Sequence, residues 1–336
     1  MNRLIRPPAR SGLGALSAEL ARAFGDRPAL VDEGGVVLTF SQLHRRAQLV
    51  ACTLIALHDL RKGERVLIPA GPGEEGLTAL LGTAMAGGIA VPWDAGAEGE
   101  ASACAPRLGA ARICWERGCR LLEEMPGGVF TPYTRKPDEL AALCYAEGEG
   151  SRGVMVSDRS LAAAGLPLAL ALRVLGVRAA RLTVPLNRPA GLAWALACLG
   201  AGVALGPGRG ASALLGEVPG EAGAVEGCRL RVHPGMLEDR APAGSDWFLD
   251  GPCFDEACGF VLLRLRRGGD PPPPLLWPLP RMRYRVAPGE GTLSVRGKAL
   301  AFGYWGELEE SLRRLGGGWF ETGMRVRRRG PAFSRR

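Results

Sequence analysis

Lysine and histidine are scarce in this sequence. Three of its 42 basic residues are Lys (Lys62, Lys136, Lys298), and His44, His58 and His233 are its only histidines. So few and scattered histidines give no indication of a His-built metal centre. The nine cysteines form no CxxC pair and have no neighbouring His, which removes zinc-ribbon and thioredoxin-like chemistry. An odd, scattered set reads as reduced thiols packed as small core residues in a cytoplasmic protein. Aromatic residues make up only 6 % of the chain, and its one dense basic run is residues 325–336. The net charge of +8 therefore lacks the basic, aromatic-interleaved face of a nucleic-acid binder. The preference for Arg over Lys, beside much Ala and Gly, reflects a GC-rich bacterial genome better than it reflects a partner. Long hydrophobic runs are missing too. Residues 161–172 are too few to span a bilayer, and residues 189–206 are broken by Pro189, Gly191, Gly200 and Gly202. The N-terminus has no apolar signal region, so neither a membrane span nor a secretory leader is expected. Met1 and the irregular basic tail read as the ends of a complete chain.

What remains is a 336-residue chain, 47 % hydrophobic and 23 % charged, long enough to bury a full core. Its pattern alternates. Helical spacing over residues 13–24 is followed by a hairpin at 29–39 and a helix that Ser41 can cap, running to about 57. Buried strands at 65–69 and 89–92 flank a helix at 77–86, and strands at 111–115 and 141–145 continue the series. A helix at 159–174, a strand at 181–184, a helix at 191–199 and a strand at 203–205 repeat it. Such alternation predicts βαβ units and mostly parallel sheets flanked by helices. Residues 206–245 are rich in Gly and Pro and read as connection. Beyond the proline run at 271–274, short strands near 283–286, 292–295 and 324–328 predict a small β-rich C-terminal part. The expected division is a first α/β subdomain over 1–140, a second over 141–250 and a β-rich one over 251–330.

Three separated segments carry chemistry. Arg27-Pro-Ala-Leu, Leu38-Thr-Phe-Ser-Gln-Leu, Lys62-Gly-Glu-Arg-Val and Ala90-Val-Pro-Trp-Asp open the chain. Leu143-Cys-Tyr-Ala-Glu-Gly-Glu-Gly-Ser-Arg-Gly-Val follows, and Gly289-Glu-Gly-Thr-Leu through Gly303-Tyr-Trp to Trp319-Phe-Glu-Thr-Gly-Met closes. In this order they resemble the N-terminal domain of the adenylate-forming superfamily: acyl-CoA synthetases, fatty acyl-AMP ligases and adenylation domains of nonribosomal peptide synthetases. The resemblance covers about 300 residues. It implies that fold, with the family's C-terminal lid domain and its Lys absent.

It also implies a nucleotide site, which this sequence keeps only in outline. The family-matched positions are Gly148, Gly150, Ser151, Arg152 and Gly153 in the phosphate loop, Phe254 near the adenine motif, Thr322 and Gly323 near the ribose motif, and Glu256 as the magnesium ligand of an active enzyme. Glycines let backbone N–H groups face an anion, and a cation neutralises it. Against this stand Glu147 and Glu149, which flank the loop glycines. A carboxylate about 4 Å from a phosphate charge costs about 4 kcal/mol at an effective dielectric near 20. Asp255 replaces the motif's Thr, and Met324 replaces the Asp whose two oxygens would accept the ribose hydroxyls. Phe254 and Met324 read more simply as residues packed inward. Ser157, Asp158 and Ser160 lack a His within reach, so a serine hydrolase is not indicated. Asp94 and Glu98 read as loop caps.

The expectation is a catalytically degenerate scaffold or pseudoenzyme with no catalytic residue and no cofactor. It would bind an acyl or peptidyl carrier protein, or a biosynthetic enzyme of lipid or natural-product assembly, with a homodimer possible. The alternative is a divergent ligase that activates a carboxylate with ATP and Mg²⁺, a second chain supplying lid and Lys. A scaffold should expose an apolar patch around 302–305 and 319–320.

Overall fold

A computed structural model describes residues 12–32, 34–94, 112–113, 130–145, 152–206, 211–216, 228–235, 245–288 and 291–335. Among the described residues, 12–157 build three helices, one edge of a nine-stranded sheet and five strands of a six-stranded one. Helix α1 is Gly12–Phe24, α2 is Phe40–Ala56 and α3 is Glu74–Met85. Thr39, not Ser41, caps α2: its hydroxyl accepts the Gln42 N–H while the Gln42 side chain accepts the Thr39 N–H. That reciprocal pair satisfies two donors the first turn would leave orphaned.

Helix α4 (Asp158–Val174) uses the same device, with Ser157 and Ser160 as the pair. This is the structural work those two serines do. Helix α5 (Pro189–Ala201) begins on Pro189 and ends on Gly202 in the left-handed conformation. Almost every α5 residue is buried. A helix apolar all round belongs inside, and α5 is the central rod of the molecule. It packs on α4 through Gly165, where a Cβ would stand 2.6 Å from the Ala193 carbonyl oxygen.

Two large sheets sandwich these helices. The nine-stranded sheet runs in the order Trp277–Pro278, Leu262–Arg267, Ser245–Asp250, Cys228–His233, Ala213–Leu215, Ala179–Leu182, Ala204–Leu205, Pro28–Asp32, Gly35–Thr39. Its centre is parallel and its two edges antiparallel. The six-stranded sheet runs Gly303–Tyr304, Gly153–Ser157, Leu140–Tyr145, Ile89–Trp93, Arg65–Pro69, Arg112–Ile113. A separate antiparallel sheet of four strands (Met282–Val286, Thr292–Gly297, Phe320–Arg329, Ala332–Arg335) forms the β-rich end. Strands from the first 140 residues are thus shared between the two large sheets.

The sequence reading departs from this at residues 206–245, taken as connection. Within them, Ala213–Leu215 and Cys228–His233 are parallel strands of the main sheet. The strand expected at 181–184 sits at Ala179–Leu182. Of the nine cysteines, Cys52, Cys144, Cys198, Cys228 and Cys258 are buried free thiols and Cys253 is half-buried. Burial pushes the Cys253 thiol up to about 12, which keeps it protonated and unreactive. No helix among the described residues is long and apolar enough to cross a membrane.

Candidate functional site

The site forms where the C-terminal β-rich part is clipped onto the start of the Gly153–Ser157 strand. Gly303–Tyr304 pairs with Val154 and Met155, and the flanking Trp305 and Phe302 N–H groups donate to the Gly153 and Met155 carbonyls at 2.8 and 2.9 Å. Gly303 has φ +147°, and a Cβ there would lie 2.6 Å from Ser311 Oγ, so only glycine admits the next helix this closely. That helix is α6, Leu308–Leu315. Ser311 Oγ accepts the Tyr304 N–H at 2.8 Å and fixes its position.

Docked this way, α6 brings charge to Arg152. The guanidinium meets Glu307 Oε2 at 2.8 Å and Glu310 Oε1 at 2.9 Å, and it lies 5.5 Å from the centre of the Tyr304 ring. Arg313 holds both oxygens of Glu310 from one turn on, at 2.5 and 2.6 Å. That bond keeps the Glu310 carboxyl below its ordinary range. On the other side of Tyr304, the phenol donates to Glu256 Oε1 at 2.5 Å and Arg314 Nη2 donates to the same oxygen at 2.9 Å. Burial, followed by the bond to Glu256, pushes the Tyr304 phenol well up. Three guanidinium groups and three carboxylates thus neutralise one another around one tyrosine.

The neighbouring Asp255 accepts from Arg188 Nε at 3.1 Å. Burial pushes its carboxyl up and Arg188 opposes the shift. Phe254 packs edge-on against Phe320, ring centres 5.4 Å apart, and belongs to the β-rich core. Thr322 spends its hydroxyl on the Leu293 carbonyl at 2.7 Å, and Met324, its N–H on Thr322 Oγ1, packs against the same core. Gly323 takes φ +70° between them. The structure therefore joins Arg152, Gly153 and Glu256 in one corner and turns Phe254, Thr322 and Met324 to packing. Glu147, Gly148, Glu149, Gly150 and Ser151 lie outside the described residues.

Glu256 Oε1 thus takes two donors from within the chain, one of them a guanidinium. No group of three His, Cys, Asp or Glu among the described residues could hold a metal ion. Sequence reading missed Tyr304, Glu307, Glu310 and Arg314. The first signal for them was available, since Glu and Arg recur at helical spacing over 307–314, but their partners lie far away in the chain.

Beside this corner is a cavity of about 480 Å³, lined by Thr183, Val184, Pro185, Asn187, Arg188, Ala190, Pro234 and Cys253. It opens beyond the C-terminal ends of parallel strands, where open α/β sheets take ligands. Asn187 is buried, and its Oδ1 has no hydrogen-bond partner.

Comparison with known proteins agrees with this architecture. The sequence profile of the AMP-binding enzymes matches residues 18–114. No curated protein matches the chain. Among solved structures it is similar to the nonribosomal peptide synthetase FmoA3 at 20 % identity and a TM-score of 0.79, over 100 % of this chain and 43 % of that one. It is similar to unliganded O-succinylbenzoate coenzyme A synthetase from Bacillus subtilis at 15 % identity and a TM-score of 0.74, over 96 % of this chain and 78 % of that one. With the N-terminal subdomain of Klebsiella oxytoca NpsA it shares 17 % identity and a TM-score of 0.77, over 97 % and 100 %. At these identities the likeness is one of fold. The chain has the N-terminal-domain fold of adenylate-forming enzymes and spans less than half of the FmoA3 chain.

Proposed function

We propose that this chain is a catalytically degenerate member of the adenylate-forming fold group that serves as a scaffold, binding a carrier protein or a biosynthetic enzyme. The observation that carries the reading is Glu256, whose Oε1 is taken by Arg314 and Tyr304. Arg152, the cation of the phosphate loop, is likewise held by Glu307 and Glu310. Both groups that would meet phosphate and metal are committed within the chain. Met324 in place of a ribose-binding Asp points the same way.

The partner-binding half rests on the outer face of the same corner. Phe302, Trp305, Leu308 and Leu312 are exposed at 47, 37, 72 and 62 %. Phe320, expected in that patch, is instead fully buried, and Trp319 lies under Arg285. Four exposed apolar side chains within eleven residues, on a surface of net positive chain charge, suit an acidic partner with an apolar contact.

Calorimetric titration of ATP and AMP with Mg²⁺ tests the reading, with no heat expected at millimolar nucleotide. Micromolar binding that is lost in Glu256→Gln or Arg152→Ala would overturn it. A ligase completed by a second chain is favoured by one observation alone, the unpartnered Asn187 Oδ1 in the neighbouring cavity. Under that reading, adding a chain that carries the lid domain restores ATP-dependent activation of a carboxylate.

A further inference from the structure

A second concavity lies on the far side of α4. A groove of about 420 Å³ is floored by Arg159, Ala162, Ala163, Leu166, Pro167 and Leu170, and walled by Leu279, Arg281, Met282, Lys298 and Ala299. The floor residues recur every three or four positions and so form one face of the helix. The opposite face, with Leu161, Gly165, Leu168, Ala169 and Leu172, is buried. From Arg159 to Leu170 the floor runs about 16 Å at the α-helical rise. It is apolar except at one end. Ser160 Oγ donates to the Leu300 carbonyl at 3.0 Å, which places Lys298 and Ala299 beside the first turn of α4, next to Arg159. Arg281 precedes Met282, which pairs with Gly297, so it stands at that end too.

The charges there are unequal. Arg159 is held by Asp138 at 2.5 Å, whereas Arg281 and Lys298 form no ion pair among the described residues. Leu170, towards the other end, is 45 % exposed. A trough of this length, apolar along its floor and cationic at one end, matches a molecule with an anionic head and a single alkyl tail. We propose that this groove binds a single-chain amphiphilic anion, with its carboxylate or phosphate at Lys298 and Arg281 and its tail along Ala163, Leu166 and Leu170.

The occupant is small. The volume lies in the range of small-molecule pockets, well below what a docked protein face would cover. The groove shares no residue with the Arg152–Glu256 corner, so the proposal stands or falls apart from the nucleotide titration above.

Dodecanoate, titrated below its micelle concentration and followed by calorimetry, tests it. Saturable one-site binding is expected, tightening about two- to fourfold per methylene from octanoate to dodecanoate as buried alkyl surface grows. Dodecanol and dodecyltrimethylammonium should bind at least tenfold more weakly. Lys298→Glu, on the exposed rim, should weaken dodecanoate at least tenfold, and Ala163→Trp should abolish binding by filling the floor, both with an unchanged thermal midpoint. Absence of saturable binding by the unaltered protein would overturn the proposal, as would indifference to head-group charge or full binding by Ala163→Trp. A self-association that Ala163→Trp disperses, without dodecanoate binding, would assign the groove to a second copy and overturn it as well.

Discussion

At the scale of single residues, buried charge decides most. Asp158 is fully buried, accepts the Leu13 N–H at 2.8 Å and lies 3.3 Å from Arg135 Nε, which is itself 2 % exposed. Burial pushes the Asp158 carboxyl up, against the pull of Arg135. The pair ties the start of α1 to the start of α4. Asp158→Ala would leave the Arg135 guanidinium buried and without its carboxylate, and should cost about 3–5 kcal/mol in denaturant unfolding. A loss under about 1 kcal/mol would mean that Arg135 is satisfied by the Gly88 and Leu140 carbonyls it also reaches.

His44 gives the pH prediction. Its Nδ1 is 3.0 Å from Ser17 Oγ, and burial, helped by Arg22, lowers its pKa below 6.5. The unfolded chain then binds the proton more readily than the folded one. The His44 contribution is complete above pH about 6.5 and is lost as pH falls through the folded value, with a slope of at most about 1.4 kcal/mol per pH unit. His44→Gln should flatten the stability profile below pH about 6.5.

At the scale of elements, the α4–α5 contact is a tight joint. Gly165 meets the Ala193 carbonyl, and the neighbouring α5 surface is Ala193 and Ala197. Gly165→Val would wedge the two helices apart and should lower stability by about 1–3 kcal/mol despite its apolar character. An unchanged urea midpoint would mean that the helices separate without strain. Helix α6 is the opposite case. It buries none of its residues and is held by the Arg152, Glu256 and Ser311 contacts. Its place at the corner is set mainly by polar bonds, with Leu315 packed on the β-rich core, so it is an element open to rearrangement.

At the scale of the molecule there are two main cores. One gathers α1 to α5 and the large sheets, while the other is a small cluster of Val261, Leu262, Leu293, Val295, Phe320, Val326 and Phe333 under the four-stranded sheet. Phe320 is fully buried at its centre. Phe320→Ala should cost about 3–5 kcal/mol locally. Amide exchange should then speed up in residues 282–297 and 320–335 and leave α5 protected. Equal acceleration of α5 would show that the two cores unfold as one.

What the sequence determined by itself is the local alternation. Residues 13–24, 65–69, 89–93 and 140–145 fold nearly as their periodicity dictates, because each buries one face in a way its own pattern records. That a Met stands at position 324, where the resembled family carries an Asp, was equally plain. Two things were decided only by tertiary structure. The strand Ala213–Leu215 is three residues long and buried on both faces, so it shows neither alternation nor length against its Gly-rich surroundings. The state of the candidate site depends on Arg152 meeting Glu310, 158 residues away, and on Glu256 meeting Arg314, 58 residues away. A sequence displays which charges a chain carries. Which charge neutralises which is fixed only when sheets and helices bring distant segments within about 3 Å, where a charge-assisted hydrogen bond can form.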